Sequence, residues 1–586
     1  MINNIMNFIG SILFSFKTLK KVSFMYSFIK NISNILLPII AIFMTYLVKD
    51  IVDKLASKDI GDLASITVCV LIYCTLKIII GFLNGCIEYS TEMESNKLRR
   101  NMGEDTIKKS LELDIEWYDN ATLYDELQYV QYNYNSIANL TNGIIEIFSS
   151  IISLAVICII ALDKLWIYTI IMIISCIPSG IAKFSFTKKI YKFNIDRLSE
   201  ERKVDYIVSL VTDKNYAQDF RQYPIKSLLL SKYRIICELM FGERRKILFK
   251  KLIVSSISLL LPEIVLLGII LSVIFKISRN EMTVGDFSLY VGLMSQLCGN
   301  MSRVVYSIDG IIEDSNKVSF YKQFINKKNN VNDGFRHIKD IKTIELKKIS
   351  FKYPFTENYI FKNLSLHINS GDKIAIVGEN GAGKSTMIKL LLRFYDVDEG
   401  EIVINGFNIK DYVVEELRSC IGIYFQNNNN YAFKIIENIT LRESTDINSS
   451  NVVEALKLSG LNKVIKNKKI NLSSYNTKLF NKDGVELSGG ENQKLSLART
   501  IYMNKKLLIF DEPSAFLDAK SEYEFFKDIR NKYKDRTLIY ISHRLTNIVK
   551  SDRIVVIKNG EVIEEGFFDE LMNNKGVFYE YYRLYK

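Results

Sequence analysis

Apolar and polar residues are distributed in two different ways along this chain. Before about residue 320, long apolar runs alternate with polar stretches, and six of the runs reach the roughly 20 residues that a helix needs to cross a hydrocarbon core about 30 Å thick. Six runs of that length rarely occur in one soluble chain, so the pattern predicts membrane-spanning helices rather than helices buried in a large soluble domain. The runs are 30–49, 65–88, 143–162, 165–185, 252–275 and 287–308.

The spacing between the runs predicts how the helices continue. The third and fourth runs are joined only by Asp163-Lys164, which indicates a tight turn. The two long gaps, 89–142 and 186–251, are polar and rich in helix formers, so we expect the membrane helices to extend into water. Basic clusters in these gaps, such as Lys97-Leu98-Arg99-Arg100, favour the cytoplasmic side, and an even number of crossings then places both termini there.

Composition and charge narrow the classes of function. The net charge of +12 is compatible with a nucleic-acid partner, but much of the basic excess flanks the apolar runs, which fits anionic lipid better. The eight cysteines show no Cys-x-x-Cys spacing, so neither a disulfide framework nor a zinc site is indicated. Three histidines are too few to favour a histidine metal centre.

Ionisable residues inside the apolar runs are candidates for a transport pathway. They are costly in lipid and normally face a bundle interior or an aqueous cavity. The alternative is a boundary residue whose charge reaches the headgroups. Pro178 and Pro262 are candidate kink points. The four ionisable candidates are Lys77, Glu146, Glu263 and Arg303.

A glycine-rich loop in the second half predicts phosphate binding. It follows the apolar run 373–377 and precedes the helical run 387–392, which is the context that a P-loop requires. Backbone N–H groups of such a loop surround an anion, Lys384 would contact the β- and γ-phosphates, and Ser385 would ligate Mg²⁺. The alternative is a turn that caps an ordinary helix. The predicted phosphate-binding residues are Gly378, Glu379, Asn380, Gly381, Ala382, Gly383, Lys384, Ser385 and Thr386.

Two further stretches fit a nucleotide site. Asp511 and Glu512 directly follow the apolar run 507–510, which predicts a buried strand that ends in carboxylates, suited to Mg²⁺ support and to general-base catalysis. Tyr353, upstream of the loop, could stack on an adenine ring or be an ordinary half-buried strand residue.

A second glycine-rich helix start could bind another anion, which suggests a nucleotide held between two copies of the domain. We call this second stretch the signature segment: Leu487, Ser488, Gly489, Gly490 and Glu491.

The order of these motifs resembles the ATP-binding cassette of ABC transporters. The resemblance begins at about residue 340, and it includes 514–518 and 541–544 after the carboxylates. It implies that Tyr353 stacks on adenine, that Gln426 contacts Mg²⁺ and senses the membrane domain, and that the signature segment contacts the γ-phosphate bound by the opposite cassette. It also implies roles for Glu512 as catalytic base, Asp518 as a dimer contact and His543 beside the γ-phosphate.

The N-terminal half resembles the exporter type of the same family. The stretches 113–120, followed by Tyr124-Asp125, and 217–221 are similar to segments that couple membrane helices to cassettes. Three departures from the family pattern stand in the cassette. Glu491 and Asn492 replace commoner residues in and after the signature segment. Asn481-Lys482-Asp483-Gly484 has a lysine where a glutamate usually faces the coupling segments.

The predicted fold class is an all-α six-helix transmembrane domain plus an α/β P-loop NTPase cassette. The predicted domains are 1–325 for the membrane part, 326–340 for a linker and 341–586 for the cassette. One membrane half and one cassette per chain imply a second half-transporter as partner, with the same chain as the simplest choice. The resemblance implies that ATP and Mg²⁺ power alternating access.

The resemblance further implies export across a cell membrane, with cassette and termini in the cytoplasm. The signature segment and 217–221 resemble peptide exporters of the lantibiotic and bacteriocin type, so we expect a peptide or small amphipathic substrate and lipid contacts, without nucleic acid. About 30 residues precede the first apolar run, too few for the protease domain that some of these exporters carry. The alternatives are a multidrug or lipid exporter and, from another class, a soluble cassette protein of DNA repair or translation, which the apolar runs disfavour.

Overall fold

The structure, a computed structural model, describes residues 2–57, 63–120, 133–443, 449–513, 519–541 and 551–584, together with positions 123, 126, 127 and 130. Its contacts form two compact units. The first contains Met1–Leu113 and Asn120–Lys328, and the second contains Asp114–Asp119 and Asn329–Lys586. A short segment from between two long N-terminal helices thus belongs to the C-terminal unit.

Helices form the first unit. Helix α2 (Leu63–Glu112) contains 50 residues, and helix α7 (Lys226–Ser278) contains 53. At 1.5 Å per residue each is about 75–80 Å long, which far exceeds a hydrocarbon core of about 30 Å. A 3₁₀ turn at Lys214–Tyr216 precedes α6, and the short helix α3, Ile115–Tyr118, belongs to the second unit. The helices of the first unit are α1 (Ile2–Ser57), α2 (Leu63–Glu112), α4 (Ser136–Asp196), α5 (Leu198–Thr212), α6 (Asp219–Gln222), α7 (Lys226–Ser278) and α8 (Val284–Ile325).

Two of these helices contain a break. Helical backbone angles are lost at Ser23 in α1 (φ −146°, ψ 37°) and at Leu165 in α4 (φ −133°, ψ 28°). Leu165 adjoins Asp163-Lys164, where the sequence indicates a turn. A third proline besides the two predicted kink points, Pro38 of α1, has no N–H to give to the carbonyl of Asn34. The Ser149 hydroxyl donates to that carbonyl at 2.8 Å instead, which ties α4 to α1.

All six predicted apolar runs lie in helices. Within the described residues, five helical stretches are long and apolar enough to cross a membrane: Met6–Ser57, Leu63–Glu112, Ser136–Ala161, Leu165–Asp196 and Lys226–Ser278. The sixth run, 287–308, lies in α8 and is more polar. Its Leu289, Leu293 and Leu297 are buried in a core shared with α1, α4 and α7. Because its neighbours cover much of α8, this helix needs less apolar surface of its own.

Two sheets form the framework of the second unit. The strands are β1 (Thr343–Phe351), β2 (Phe361–Asn369), β3 (Lys373–Val377), β4 (Glu399–Ile404), β5 (Phe407–Asn408), β6 (Ile421–Tyr424), β7 (Leu507–Asp511), β8 (Thr537–Ile541), β9 (Arg553–Lys558) and β10 (Glu561–Gly566). A four-stranded antiparallel sheet has the order β2-β1-β4-β5, and a six-stranded sheet has the order β10-β9-β3-β8-β7-β6, parallel except for β10.

The central strands are buried throughout, which explains their continuous apolar sequences. Every residue of β3, β7 and β8 is buried. Because neighbouring parallel strands end at the same edge of a sheet, the loops after β3, β6 and β7 lie close together. A 3₁₀ turn at Ile409–Asp411 follows β5. The helices around the sheets are α9 (Lys384–Leu391), α10 (Val414–Ser419), α11 (Ile435–Thr440), α12 (Ser450–Leu458), α13 (Leu461–Lys468), α14 (Gly489–Tyr502), α15 (Ala519–Lys532), α16 (Phe568–Asn574) and α17 (Val577–Leu584).

Candidate nucleotide site

The glycine-rich loop connects the buried strand β3 to helix α9. Gly383 is the N-cap of α9 and has a φ of +95°, a left-handed conformation that favours glycine. A Cβ atom there would lie 2.6 Å from the Phe361 ring, and a Cβ on Gly378 would lie 2.3 Å from the Ile557 carbonyl oxygen. Side chains are therefore excluded at both positions, and the loop can bring its N–H groups close to an anion at the start of α9.

Lys384 lies inside this loop. Its side chain is buried, and its Nζ donates to the carbonyl oxygens of Gly378 at 2.7 Å and Glu379 at 2.9 Å. Burial lowers the pKa of Lys384, while the carboxylates of Glu512 and Asp511 oppose that shift. The Lys384 ammonium group thus lies next to the backbone of the loop, with two acidic side chains nearby.

Ser385 and Asp511 bring oxygen atoms together beside the loop. The Ser385 hydroxyl lies 3.4 Å from Asp511 Oδ1. Asp511 is the last residue of β7, and its burial raises its pKa to about 6. A hydroxyl and a carboxylate form the kind of hard-oxygen ligand set that Mg²⁺ uses, and a dication would favour the ionised form of Asp511. The residues present therefore fit the cation that the sequence predicts.

Glu512 follows Asp511 in a left-handed backbone conformation with a φ of +49°, which is uncommon outside glycine. Its N–H donates to the carbonyl of Ile541 on β8 at 2.9 Å, and this bond fixes the unusual turn. The Gln426 amide, from the segment after β6, donates to Glu512 Oε2 at 2.7 Å. Two predicted site residues from different strand ends are thereby in direct contact. Such local strain is typical of functional positions.

Tyr353 lies beside the glycine-rich loop. Its hydroxyl is 3.0 Å from the Thr386 hydroxyl, and its ring meets the Tyr395 ring edge-on, with centroids 5.4 Å apart. Lys389 Nζ lies 5.0 Å from the centroid of the Tyr353 ring. The half-buried ring is therefore held by contacts with α9, and adenine stacking on it remains a prediction.

The signature segment forms the start of helix α14. The Ser488 hydroxyl accepts from the Glu491 N–H at 3.4 Å, and Glu491 Oε2 accepts from the Ser488 N–H at 2.8 Å, which is a capping box. Lys468 Nζ donates to the same Glu491 oxygen at 2.6 Å. Burial alone would raise the pKa of Glu491, but the bonds from Lys468 and Ser488 outweigh it and lower that pKa.

The remaining signature residues leave the helix start accessible. Leu487 packs against the core of the helical region, whereas Ser488 and Gly489 are exposed. A Cβ atom on Gly489 would have no heavy atom within 4 Å. Gly490 is half-buried in the first turn. The N-terminal N–H groups of α14 thus face open space, as a second anion site requires.

Sequence reasoning missed a network of amides behind the signature segment. Asn438 is fully buried; its Oδ1 accepts from the Tyr431 N–H at 2.8 Å, and its Nδ2 donates to the Tyr431 carbonyl at 3.0 Å. Arg499 of α14 donates to the Asn438 carbonyl at 2.7 Å and to Asn430 Oδ1 at 3.2 Å. Asn430 Nδ2 in turn donates to the Asn492 carbonyl oxygen at 2.9 Å. The network ties the segment after Gln426 to α14.

The central part of the first predicted coupling segment, Asp114–Asp119, lies in the cassette unit. Helix α3 places Ile115 against the cassette core, and the Tyr395 hydroxyl donates to Asp119 at 2.8 Å. The N–H groups of Asn330 and Val331 donate to Asp114 Oδ2 at 2.7 and 3.0 Å. Tyr395 also contacts the Tyr353 ring, so this segment is one residue removed from the candidate nucleotide site.

Several other predicted positions either lie outside the residues that the structure describes or lie at the protein surface. Asp518 and His543 lie outside the described residues, as do Tyr124 and Asp125. Asn380 and Gly381 are exposed at the tip of the glycine-rich loop, and the Ala382 N–H donates to the Glu379 carbonyl at 3.2 Å. Lys482 is exposed.

Comparison with known proteins agrees with this architecture. Residues 24–209 match the ABC transporter transmembrane region, and residues 361–515 match the ABC transporter family itself. The fold is similar to that of a bacterial Atm1-family ABC exporter with ATP bound, with a TM-score of 0.82, 21% identity, and coverage of 95% of this chain and 98% of that one.

Three curated proteins illustrate the range of relatives. The subtilin transport ATP-binding protein SpaT of Bacillus subtilis is 28% identical over 84% of this chain and 81% of its own length. The alpha-hemolysin translocation ATP-binding protein HlyB of Escherichia coli O157:H7 is 27% identical over 91% of this chain and 74% of its own. A provisionally named multidrug export ATP-binding/permease protein of Staphylococcus aureus is 39% identical over 41% of each.

A nucleotide-binding cassette and a helical membrane region thus occur in one chain, and both have family matches. The predicted fold class is confirmed, and the membrane region is multi-pass. One cassette and one membrane half make a half-transporter, an architecture that implies dimerisation. This chain belongs to the ABC transporters and couples ATP hydrolysis to export across a membrane.

Proposed function

We propose that this exporter transports a peptide and that it acts as a dimer of two identical chains. The observation that carries the peptide assignment is the extent of similarity. The relatives named for subtilin and alpha-hemolysin match 84% and 91% of this chain, so both halves contribute to the similarity. The relative named for multidrug export matches 241 residues, too few to cover the membrane half and the cassette together.

Within each cassette, we assign the chemistry to residues that meet at the ends of β3, β6 and β7. Lys384 and the loop N–H groups hold the phosphates of ATP. Ser385, Asp511 and Gln426 are the residues that would hold Mg²⁺, which supplies charge neutralisation when bound. Glu512 accepts the proton of the attacking water, and the 2.7 Å bond from Gln426 orients its carboxylate. The ring of Tyr353 stacks on the adenine ring of ATP.

The second copy completes the site. The exposed helix start at Ser488, Gly489 and Gly490 presents N–H groups, and in our proposal these contact the γ-phosphate held by the partner's loop. Loss of that phosphate after hydrolysis removes the shared ligand and separates the cassettes. ATP thus acts as a ligand that biases a two-state assembly, and the segment Asp114–Asp119 passes the change to the membrane helices. We place the cassette and both termini in the cytoplasm.

One observation favours the second candidate, a multidrug exporter. The sequence identity to the Staphylococcus aureus protein named for multidrug export is 39%, although the match covers only 41% of this chain. A match over 241 residues leaves more than half of this chain uncompared, so we give it less weight than the two long ones.

Stimulation of ATP hydrolysis by candidate cargoes tests the proposal. The purified chain in lipid nanodiscs is exposed to amphipathic peptides, cationic dyes and added lipids, and phosphate release is measured. We expect stimulation by peptides, with half-maximal effects at lower concentrations than for dyes or lipids. Stimulation by dyes or lipids alone would refute the peptide assignment. The mass of the protein in the same nanodiscs shows whether two chains are associated.

A further inference from the structure

A cavity with both polar and apolar walls lies in the membrane half. Its volume is about 500 Å³, and α1, α2, α4 and α8 form its walls. The α1 wall contains Pro38 and apolar neighbours, whereas α8 contributes most of the polar residues. Every wall comes from one of the predicted membrane runs. The residues that give it polar character are Asn84, Ser153, Ser295, Gln296, Asn300 and Arg303.

Helix α8 contributes a polar stripe to this cavity. Gln296, Asn300 and Arg303 are spaced by four and three residues, so they lie on one face of the helix. Gly299 lies on the same wall, and a Cβ atom there would meet no heavy atom within 4 Å. The stripe explains why the sixth run is less apolar than the other five. A polar face within a membrane run is retained where it lines a cavity or pathway.

The two amides of the stripe are fixed in place. Asn300 is buried, and its Nδ2 donates to the Ser153 hydroxyl of α4 at 2.7 Å. Gln296 Nε2 lies 3.4 Å from the Ala41 carbonyl oxygen of α1. These bonds connect three helices around the cavity. The wall beside Arg303 is therefore ordered before any cargo arrives, which reduces the entropic cost of binding.

Arg303 differs from the other members of the stripe. Its side chain is exposed toward the cavity region, and no carboxylate lies within 4.0 Å of it in the described part of the chain. Glu146, another of the four ionisable candidates, instead accepts a bond from Ser307 at 2.8 Å. A guanidinium within a membrane run favours an anionic partner, and its planar fork matches a carboxylate.

We propose that this cavity binds a carboxylate of the transported molecule, with Arg303 as the residue that pairs with it. The inference deepens the proposed function, because every unmodified peptide has a C-terminal carboxylate. A volume of about 500 Å³ is in the range of small-molecule sites and is too small for a whole amphipathic peptide. The cavity therefore takes the end of the peptide, and Gln296 and Asn300 shape the wall around it.

A pair of peptides that differ only at the C-terminus tests the inference. A synthetic amphipathic peptide is prepared as the free acid and as the C-terminal amide, and ATPase stimulation is measured in nanodiscs. For the parent, we expect the acid to reach half-maximal stimulation at a concentration about 10- to 100-fold lower than the amide does. Arg303→Gln should remove that preference, and Arg303→Lys should retain part of it, since lysine keeps the charge but loses the fork.

Two further variants separate this effect from a general disturbance. Lys250→Gln removes another positive charge from the same unit, at an exposed residue outside the cavity wall, and should keep the full preference for the acid. Gly299→Leu places a side chain in open space on the cavity wall. It should weaken stimulation by the acid without removing any charge, and it tests the cavity should Arg303→Gln fail to fold.

A second pair of probes distinguishes a failure of the carboxylate site from a failure of the peptide assignment. A xanthene dye with a free carboxylate and its methyl ester are tested in the same way. Equal stimulation by acid and amide, or a preference that survives Arg303→Gln, overturns the carboxylate site while peptide export stands. A dye preference that depends on Arg303, without any effect of peptides, supports the site and refutes the peptide assignment. Absence of a carboxylate preference in both pairs overturns the inference.

Discussion

Replacement of Glu512 by glutamine is the sharpest test of the assigned chemistry. Glutamine has nearly the same shape, and its carbonyl oxygen can still accept the bond that Gln426 donates at 2.7 Å. The backbone bond to Ile541 does not involve the side chain. The variant should therefore fold and bind ATP, and lose only the proton acceptor. Loss of a general base slows turnover by about 100- to 10,000-fold, or about 2.7–5.4 kcal/mol in activation free energy.

The assay for Glu512→Gln has two readouts. Phosphate release in nanodiscs gives the rate, and rapid gel filtration followed by nucleotide analysis shows what stays bound. We expect slow release with ATP, rather than ADP, retained by the dimer. Glu415→Gln is the control, because it makes the same change of charge at an exposed position of α10. A rate within threefold of the parent for Glu512→Gln would refute the assignment of Glu512 as the base.

Three further predictions concern the region around the signature segment. Asn438→Ala removes the partner of the buried Tyr431 N–H and should lower the free energy of unfolding by about 3 kcal/mol. Thermal or denaturant unfolding measures this change, and an unchanged midpoint would contradict the stabilising role of the amide network around Asn438. Ser488→Ala removes the cap of α14 and should cost about 1 kcal/mol in the same measurement, whereas Ser488→Asp should restore most of it. Because the pKa of Glu491 is lowered in the folded protein, its contribution to stability is complete above its unfolded pKa of about 4.3 and decreases as pH falls through the folded value. Glu491→Gln should therefore flatten the loss of stability as the pH falls below the unfolded pKa, and a parent-like slope would contradict the bond from Lys468.

Several features of the site follow from sequence because they are encoded locally. The loop 378–386 has glycines where the backbone allows no Cβ, and it stands between a buried strand and a helix. Asp511 and Glu512 follow an apolar run that forms β7. Neighbouring residues and strand order are enough to predict that these groups meet. The same reasoning located all six long apolar runs of the membrane half.

Other contacts could not be predicted because their partners are distant in sequence. Lys30 stands at the edge of the first apolar run and Glu94 in a polar stretch of α2, yet they form a fully buried ion pair. Asn430 belongs to a row of asparagines typical of a surface loop, but it bonds to Asn492 on α14. Asn492 is one of the residues that depart from the family pattern, and the amide contact gives it a structural role. Pairings of this kind depend on helix packing, which hydrophobic periodicity does not specify.

The membership of Asp114–Asp119 in the cassette unit matters for how the protein can be divided experimentally. A recombinant cassette that began after the linker would lack this segment, although Ile115 covers part of the cassette core and Asp119 bonds to Tyr395. Such a fragment would expose apolar surface to water and be prone to self-association. A synthetic peptide spanning 113–120, supplied together with the fragment, should restore its solubility. The N-terminal half therefore provides the cassette with a piece that its own contiguous sequence does not contain.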